Sequence, residues 1–300
     1  MIKIRVPATS ANLGPGFDTL GLALPLFLDL KIESTGEDIK VHFSGEGGHS
    51  IPVDAGDNLV VSTITATLEK LGYRPGGLHI EINNSIPLAR GLGSSAAAIM
   101  AGVLAANELA HNPLDEQEIL NLATSLEGHP DNIVPALVGG FTISLTEGNK
   151  VYYRRLEPPE VLDVVVAIPD FELHTEAARA VRPKEYISQD VVYNLQRACF
   201  LVASLASGKL DNLEMAMGDM VHQPYRQSLI PGFGDVIKEA LANGALGVAL
   251  SGAGPSILAL TMGSCAPVGK AMQEAFAHHG VAARIFTGHP CREGAVVERE

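Results

Sequence analysis

Apolar and charged positions alternate along residues 2–6, "IKIRV", and that two-residue period predicts an opening strand. "FLDLKIEST", "IKVHFSG" and "GLHIEINNSI" predict further strands, and Gly14, Pro15 and Gly16 force a turn after the first. The pattern turns helical over 57–72, where Asp57 can cap a helix and Gly72 can end it. Residues 94–110, "SSAAAIMAGVLAANELA", predict an alanine-rich helix opened by serines. Residues 114–128 predict another, with acidic side chains in its first turn. The composition shifts near "RRLEPPE" (154–160). Beyond it, "VLDVVVAIPD" predicts a buried strand and 190–207 a helix. "GVALSGAGPSILALT" reads as strand, glycine turn and strand, "PVGKAMQEAFAHHG" as a helix, and "VAARIFTG" as a last strand. The expected class is α+β in two domains, 1–155 and 156–300.

Charge narrows the choice of partner. Lys+Arg 21 against Asp+Glu 34 gives a net charge of −13, and aromatics are only 5% with no tryptophan. Neither the field nor the stacking surface suits nucleic acid, so any phosphate site must be local. Cys199, Cys265 and Cys291 are widely spaced and odd in number, which predicts reduced thiols. The N-terminus has no apolar core of signal-peptide length. The longest apolar run, 20–30, contains Pro25 and Asp29 and is too short to span a bilayer. A cytoplasmic protein with no membrane partner is expected.

The segment that carries chemistry is "SIPLARGLGSSAAAIMAG" (85–102), a glycine–serine loop without the lysine of a Walker A motif. Gly91-x-Gly93-x-x-Ala96 formally fits a dinucleotide fingerprint. Eight residues separate Gly91 from the end of the preceding strand near Ile82, however, where a Rossmann turn is tight. "GSCAPVGKA" (263–271) misses the P-loop spacing and carries Ala271 in place of Ser or Thr. A plain tight turn before a small-residue helix is a third reading. The fourth is a phosphate nest: glycines let a ligand approach the backbone, and the helix start offers unpaired N–H groups and the positive end of its dipole. Serine hydroxyls can bond phosphate or ligate magnesium, a hard cation that prefers oxygen.

"PLARGLGSSAAA" resembles the phosphate-loop motif of the GHMP kinases. "PATSANLGPGFDTLG" (7–21) is similar to their N-terminal motif and "GVALSGAGPSILAL" (247–260) to their C-terminal glycine motif, in the same order. The details resemble the homoserine kinase branch, through "LEGHPDNIVPALVGG" (126–140), "HTEAARAVRP" (174–183) and "PYRQSLIPGF" (224–233). One departure is plain: the family often has leucine before Pro183, and here Arg182 stands there.

The resemblance implies a two-domain fold, with an N-terminal half like ribosomal protein S5 domain 2, a ferredoxin-like C-terminal half, and the site between them. It implies ATP and Mg2+ as cofactors, L-homoserine as substrate in threonine biosynthesis, and often a homodimer. Pro87, Leu88, Ala89, Arg90, Gly91, Leu92, Gly93, Ser94, Ser95, Ala96 and Ala97 would cradle the phosphates, joined by Gly252 and Gly254. Asn58 would lie near the adenine. Ser95 and Glu127 would ligate magnesium. Asn12, Asp18, His129, Asn132, Thr175, Arg179 and Arg226 would meet the amino acid, with Asp18 taking its ammonium and the arginines its carboxylate or the transferring phosphate. Glu127, Asp131, Asn132, Arg179 and Arg226 form the expected catalytic set, and Asp131 is the carboxylate to test as a base. Another small alcohol, such as mevalonate, or a non-catalytic ATP-binding role would suit the same fold.

Overall fold

The computed structural model describes residues 1–48 and 58–299. Its first half runs β1 (Ile2–Ala11), β2 (Leu20–Ser34), β3 (Ile39–Gly45), α1 (Leu59–Lys70), β4 (Leu78–Asn84), α2 (Ser94–Leu109), α3 (Glu116–Glu127), α4 (Pro130–Val138), β5 (Phe141–Glu147) and β6 (Lys150–Leu156). Then come β7 (Asp163–Pro169), α5 (Thr175–Ala180), α6 (Ser188–Ser207), α7 (Leu213–Ala216), α8 (Gln223–Arg226), α9 (Phe233–Ala242), β8 (Ala245–Leu250), β9 (Ile257–Thr261), α10 (Cys265–His278), β10 (Ala283–Gly288) and β11 (Val296–Arg299).

Seven strands form the first sheet, in the order β11-β1-β2-β4-β3, with β5 pairing β2 and β6 pairing β5. Only β3 and β4 are parallel, as their connection through α1 requires. The second sheet has four antiparallel strands in the order β10-β7-β9-β8. With helices between β7 and β8 and between β9 and β10, that order is ferredoxin-like. The expected α+β class and ferredoxin-like second half are therefore present.

Two corrections concern boundaries. β11 pairs with β1, placing Ile4 opposite Val297, so the chain's end returns to the first sheet and crosses the division expected at 155/156. "VAARIFTG" is accordingly the last strand of the second sheet but not of the chain. Helix α1 is capped by Asn58, whose side-chain oxygen accepts from the Val60 and Val61 N–H groups. Asp57, the expected cap, lies outside the described residues.

The unbroken apolar run of β7 has a plain cause. Val164, Val166 and Ile168 face the core under the first sheet, while Val165 and Ala167 join Val236, Met272 and Phe276 under α9 and α10. A strand buried on both faces has no solvent side on which to alternate. Helix α2 is likewise surrounded: Ala96 through Ala106 are all buried. Its alanines and Gly102 allow α1 to lie close, since a Cβ on Gly102 would come within 2.7 Å of Thr63. Among the described residues no helix is long and apolar enough to cross a membrane.

Candidate active site

Seven chain segments meet at a cleft of about 250 Å³ between the sheets, lined from Ala11–Asn12, Phe17–Asp18, Ala89–Ser95, Glu127–Asn132, Leu173–Arg179, Arg226 and Gly252–Ala253. Their meeting is fixed by hydrogen bonds between backbones distant in sequence. Gly252 N–H donates to Ala11 O at 3.1 Å, Ser256 N–H to Arg90 O at 3.3 Å, and Ser251 Oγ lies 2.6 Å from Gly91 O. Gly91 has φ +71, and a Cβ there would sit 2.2 Å from Ser251 O, a backbone atom with little room to yield. On Gly93, at φ +67, a Cβ would meet Thr9 Oγ1.

Helix α2 starts at this cradle with Gly93 as its N-cap, no side-chain cap and no acidic residue in its first turn. Its first N–H groups therefore lack a side-chain acceptor, and Gly93, Ser94 and Ser95 line the cleft, an arrangement that suits an anion. Beside them Ser95 Oγ donates to Glu127 Oε2 at 2.7 Å. Burial lifts the Glu127 pKa, against the opposing Ser95 hydrogen bond and His129 charge. A hydroxyl and a carboxylate are hard oxygen donors of the kind magnesium takes, so the pair fits such an ion.

Next to Glu127, Gly128 ends α3 and His129 begins α4, with Pro130 at the first helical position. His129 Nδ1 lies 2.6 Å from Asp131 Oδ1. Burial opposes charge on the ring, but the hydrogen bond and charge of Asp131 outweigh it and lift the His129 pKa. Asn132 Oδ1 accepts from Thr9 Oγ1 at 2.8 Å. Across the cleft Arg179 grips Asp18 with two hydrogen bonds, of 2.7 and 3.1 Å. Arg226 is almost wholly buried, donating from Nε to Ala178 O and from Nη1 to Gly252 O, both at 3.0 Å.

Two family profiles match the chain: the GHMP kinases N terminal domain over 58–140 and the GHMP kinases C terminal domain over 201–279. The chain belongs to the GHMP kinase family. It is 47% identical over 297 residues to a homoserine kinase of Moorella thermoacetica, covering 99% of this chain and 100% of that protein. A homoserine kinase of Carboxydothermus hydrogenoformans is 46% identical over 296 residues, covering 99% and 96%. The crystal structure of homoserine kinase from Cytophaga hutchinsonii superposes with a TM-score of 0.87 at 33% identity, over 99% of this chain and 97% of that one. L. major mevalonate kinase, at a TM-score of 0.70, 16% identity and 96% of each chain, shares the fold.

In this GHMP kinase the side chains and backbone of the expected phosphate loop, 87–97, divide between cleft and core. Ala89 through Ser95 line the cleft; Pro87 and Leu88 lead into it, and Ala96 and Ala97 are buried in the core. Arg90 ties the loop to the end of β7, donating to Leu88 O, Pro169 O and Asp170 O. Gly252 lines the cleft as expected, with Ala253 beside it. Gly254 packs instead against Leu250 and Ile230, where a Cβ would crowd both. Asn58 is a buried helix cap away from the cleft lining.

Asn12 lines the cleft, but both ends of its amide are engaged: Nδ2 donates to Gly252 O and Oδ1 accepts from Asp18 N–H. It ties the N-terminal turn to the C-terminal glycine turn. Thr175 lines the rim at the start of α5. Asp18, His129, Asp131, Asn132, Arg179, Arg226, Ser95 and Glu127 all reach the same cleft.

Sequence reasoning missed Thr9, Phe17, Asp219 and His222. Buried Asp219 accepts from the N–H groups of Val221, His222 and Gln223, fixing the start of α8 and with it Arg226. Thr9 and Phe17 stood inside the quoted motif, and their polar or aromatic character was the available signal. Nothing in the local pattern marked Asp219.

Proposed function

We propose that this GHMP kinase transfers the γ-phosphoryl group of ATP to the hydroxyl of L-homoserine, forming O-phospho-L-homoserine in the cytoplasm on the way to threonine. The observation that carries this reading is the Asp18–Arg179 pair facing the uncapped start of α2 across one cleft. An amino acid presents an ammonium and a carboxylate, and those charges match the two partners of the pair in turn. Mevalonate has no ammonium and would leave Asp18 without a cationic partner from the substrate.

The chain's residues divide the work by charge. Backbone amides from Gly91 to Ala96 would hold the phosphates, and Ser95 and Glu127 would hold magnesium, which supplies charge neutralisation on phosphate oxygens when bound. Asp18 orients the ammonium, and Arg179 and Arg226 the carboxylate or the migrating phosphoryl group. Asn132, fixed by Thr9, orients the hydroxyl. Asp131 has one oxygen bound to His129, leaving the other as the acceptor to test. In such a transfer positioning and electrostatics supply most of the rate.

A homodimer is part of the same proposal. The 20-residue helix α6 carries only Asp190 and Arg197 as charges, both half-buried, while Val191, Leu195 and Phe200 stand exposed. Two copies of a −13 chain can approach closely on an uncharged face. Sedimentation velocity of the protein and of Leu195→Lys tests it; a wild-type monomer removes it.

The decisive assay couples ADP release to homoserine, mevalonate and galactose side by side. Turnover with homoserine well above the other two is expected. Background rates with homoserine would end the reading.

A further inference from the structure

Phe17 lies between Gly16 and Asp18 in the turn after β1, and its ring lines the cleft. Three guanidiniums surround it: the carbon of Arg182 is 4.1 Å from the ring centroid, Arg226 5.4 Å and Arg179 5.5 Å. The His222 ring completes the surround at 5.4 Å between centroids. Among the described residues one carboxylate, Asp18, is hydrogen-bonded to any of the three arginines. Among the described residues the Arg182 side chain makes no hydrogen bond or ion pair, and its buried Nε has no partner; the aromatic face is what receives it. Three like charges so close repel, and an aromatic quadrupole among them offsets part of that cost. Burial, then the charges of Arg182 and Arg179, pull the Arg226 pKa down to about 10, which registers the crowding.

We propose that Phe17 is a positioning residue whose ring gathers Arg179, Arg182 and Arg226 into one receptor for the substrate's carboxylate, with Arg182 adding its field from behind the ring. Arg182 lies outside the cleft lining, so it acts through Phe17 and through charge, without touching the ligand. When a carboxylate enters, Asp18 can release Arg179 to it and take the ammonium. The cluster then has anions enough for its cations. The proposal rests on the amino-acid reading of the substrate given above.

The test compares two ligands that differ only in the group at issue. KM is measured for L-homoserine, and Ki for L-homoserinamide, which keeps the hydroxyl and ammonium but lacks the carboxylate. Phe17→Leu and Arg182→Leu should each raise the homoserine KM about fivefold, the size of one partly desolvated cation–π contact. Ki for the amide should move less than about twofold, kcat should hold, and Phe17→Tyr should restore the wild-type KM. A general loosening of the fold would weaken both ligands alike, and that result overturns the proposal, as does an unmoved KM. Wild-type turnover of homoserine with unmoved variants sinks this inference alone. A wild type inactive on homoserine sinks the reading of function, and this inference with it.

Discussion

The two walls of the cleft are built from different materials. The wall proposed to hold phosphate, Ala89 to Ser95 with Gly252, is mostly backbone: glycines at positive φ, a helix start without a cap, and one hydroxyl–carboxylate pair. The wall proposed to hold the amino acid is mostly side chain: Asp18, Arg179 and Arg226 packed around Phe17, held by carbonyls and by Asp219 beneath. Backbone donors cannot be exchanged by substitution and recognise a group common to every nucleotide. Side chains can be exchanged, and under the proposed function they meet the acceptor substrate. Under the proposed function, affinity for nucleotide falls to one wall and choice of acceptor to the other.

The largest expected effect lies on the side-chain wall. Arg226→Ala removes a buried charge that lines the cleft, and should lower kcat/KM for homoserine by about 10²–10³-fold, while KM for ATP changes little. Equal damage to both substrates would erase the distinction between the walls.

The next lies on the backbone wall. Gly91→Ala adds a methyl 2.2 Å from Ser251 O, whereas Gly148→Ala, at a similar φ of +59, meets nothing within 4 Å. Both carry the left-handed penalty of about 1–2 kcal/mol. Only the first should also raise KM for ATP, by at least about tenfold. Thermal melts and ATP titrations of the pair separate backbone strain from lost approach.

Legibility followed the same division. The glycine turn and helix start at the cleft could be read in advance because glycine spacing and a small-residue helix are local features, and "GLGSSAAA" states them in eight letters. Which residues of 87–97 turn a side chain to the cleft was not legible, because whether that of Ala96 faces the cleft or the core depends on helix phase and on what packs against it. The amino-acid wall was legible only by resemblance. Asp18 and Arg179 are 161 positions apart, and Asn12 and Gly252 are 240 apart. No periodicity predicts that such pairs meet. Helix α4 was not among the predicted elements; Pro130 stands at its first helical position, where it lacks only an N–H that the helix does not use, and Pro135 lies inside it. The return of β11 to β1 was hidden for another reason: a four-residue strand gains its stability from its neighbour and not from its own pattern.

A smaller effect sharpens the metal assignment. Glu127→Gln should raise the magnesium concentration for half-maximal rate about tenfold, as should Ser95→Ala. Burial raises the Glu127 pKa, so its proton returns at a higher pH than for an exposed glutamate. The wild-type magnesium requirement should therefore climb as pH falls toward 5.5, and the Gln variant should lose that pH dependence. The smallest effect belongs to His129. Its folded pKa lies above its unfolded value near 6.5, so stability from the Asp131 pair is complete below that value and is lost as pH rises through the lifted one. Melting curves of wild type and His129→Asn should differ by about 2 °C at pH 5.5 and converge at alkaline pH.

The most direct measurement is a crystal structure with magnesium and a non-hydrolysable ATP analogue. The β- and γ-phosphates should lie within hydrogen-bonding reach of main-chain N–H groups between Gly91 and Ala96, with the Arg179–Asp18 pair left intact. Phosphates clasped by Arg179 and Arg226, with those amides facing only water, would contradict the account.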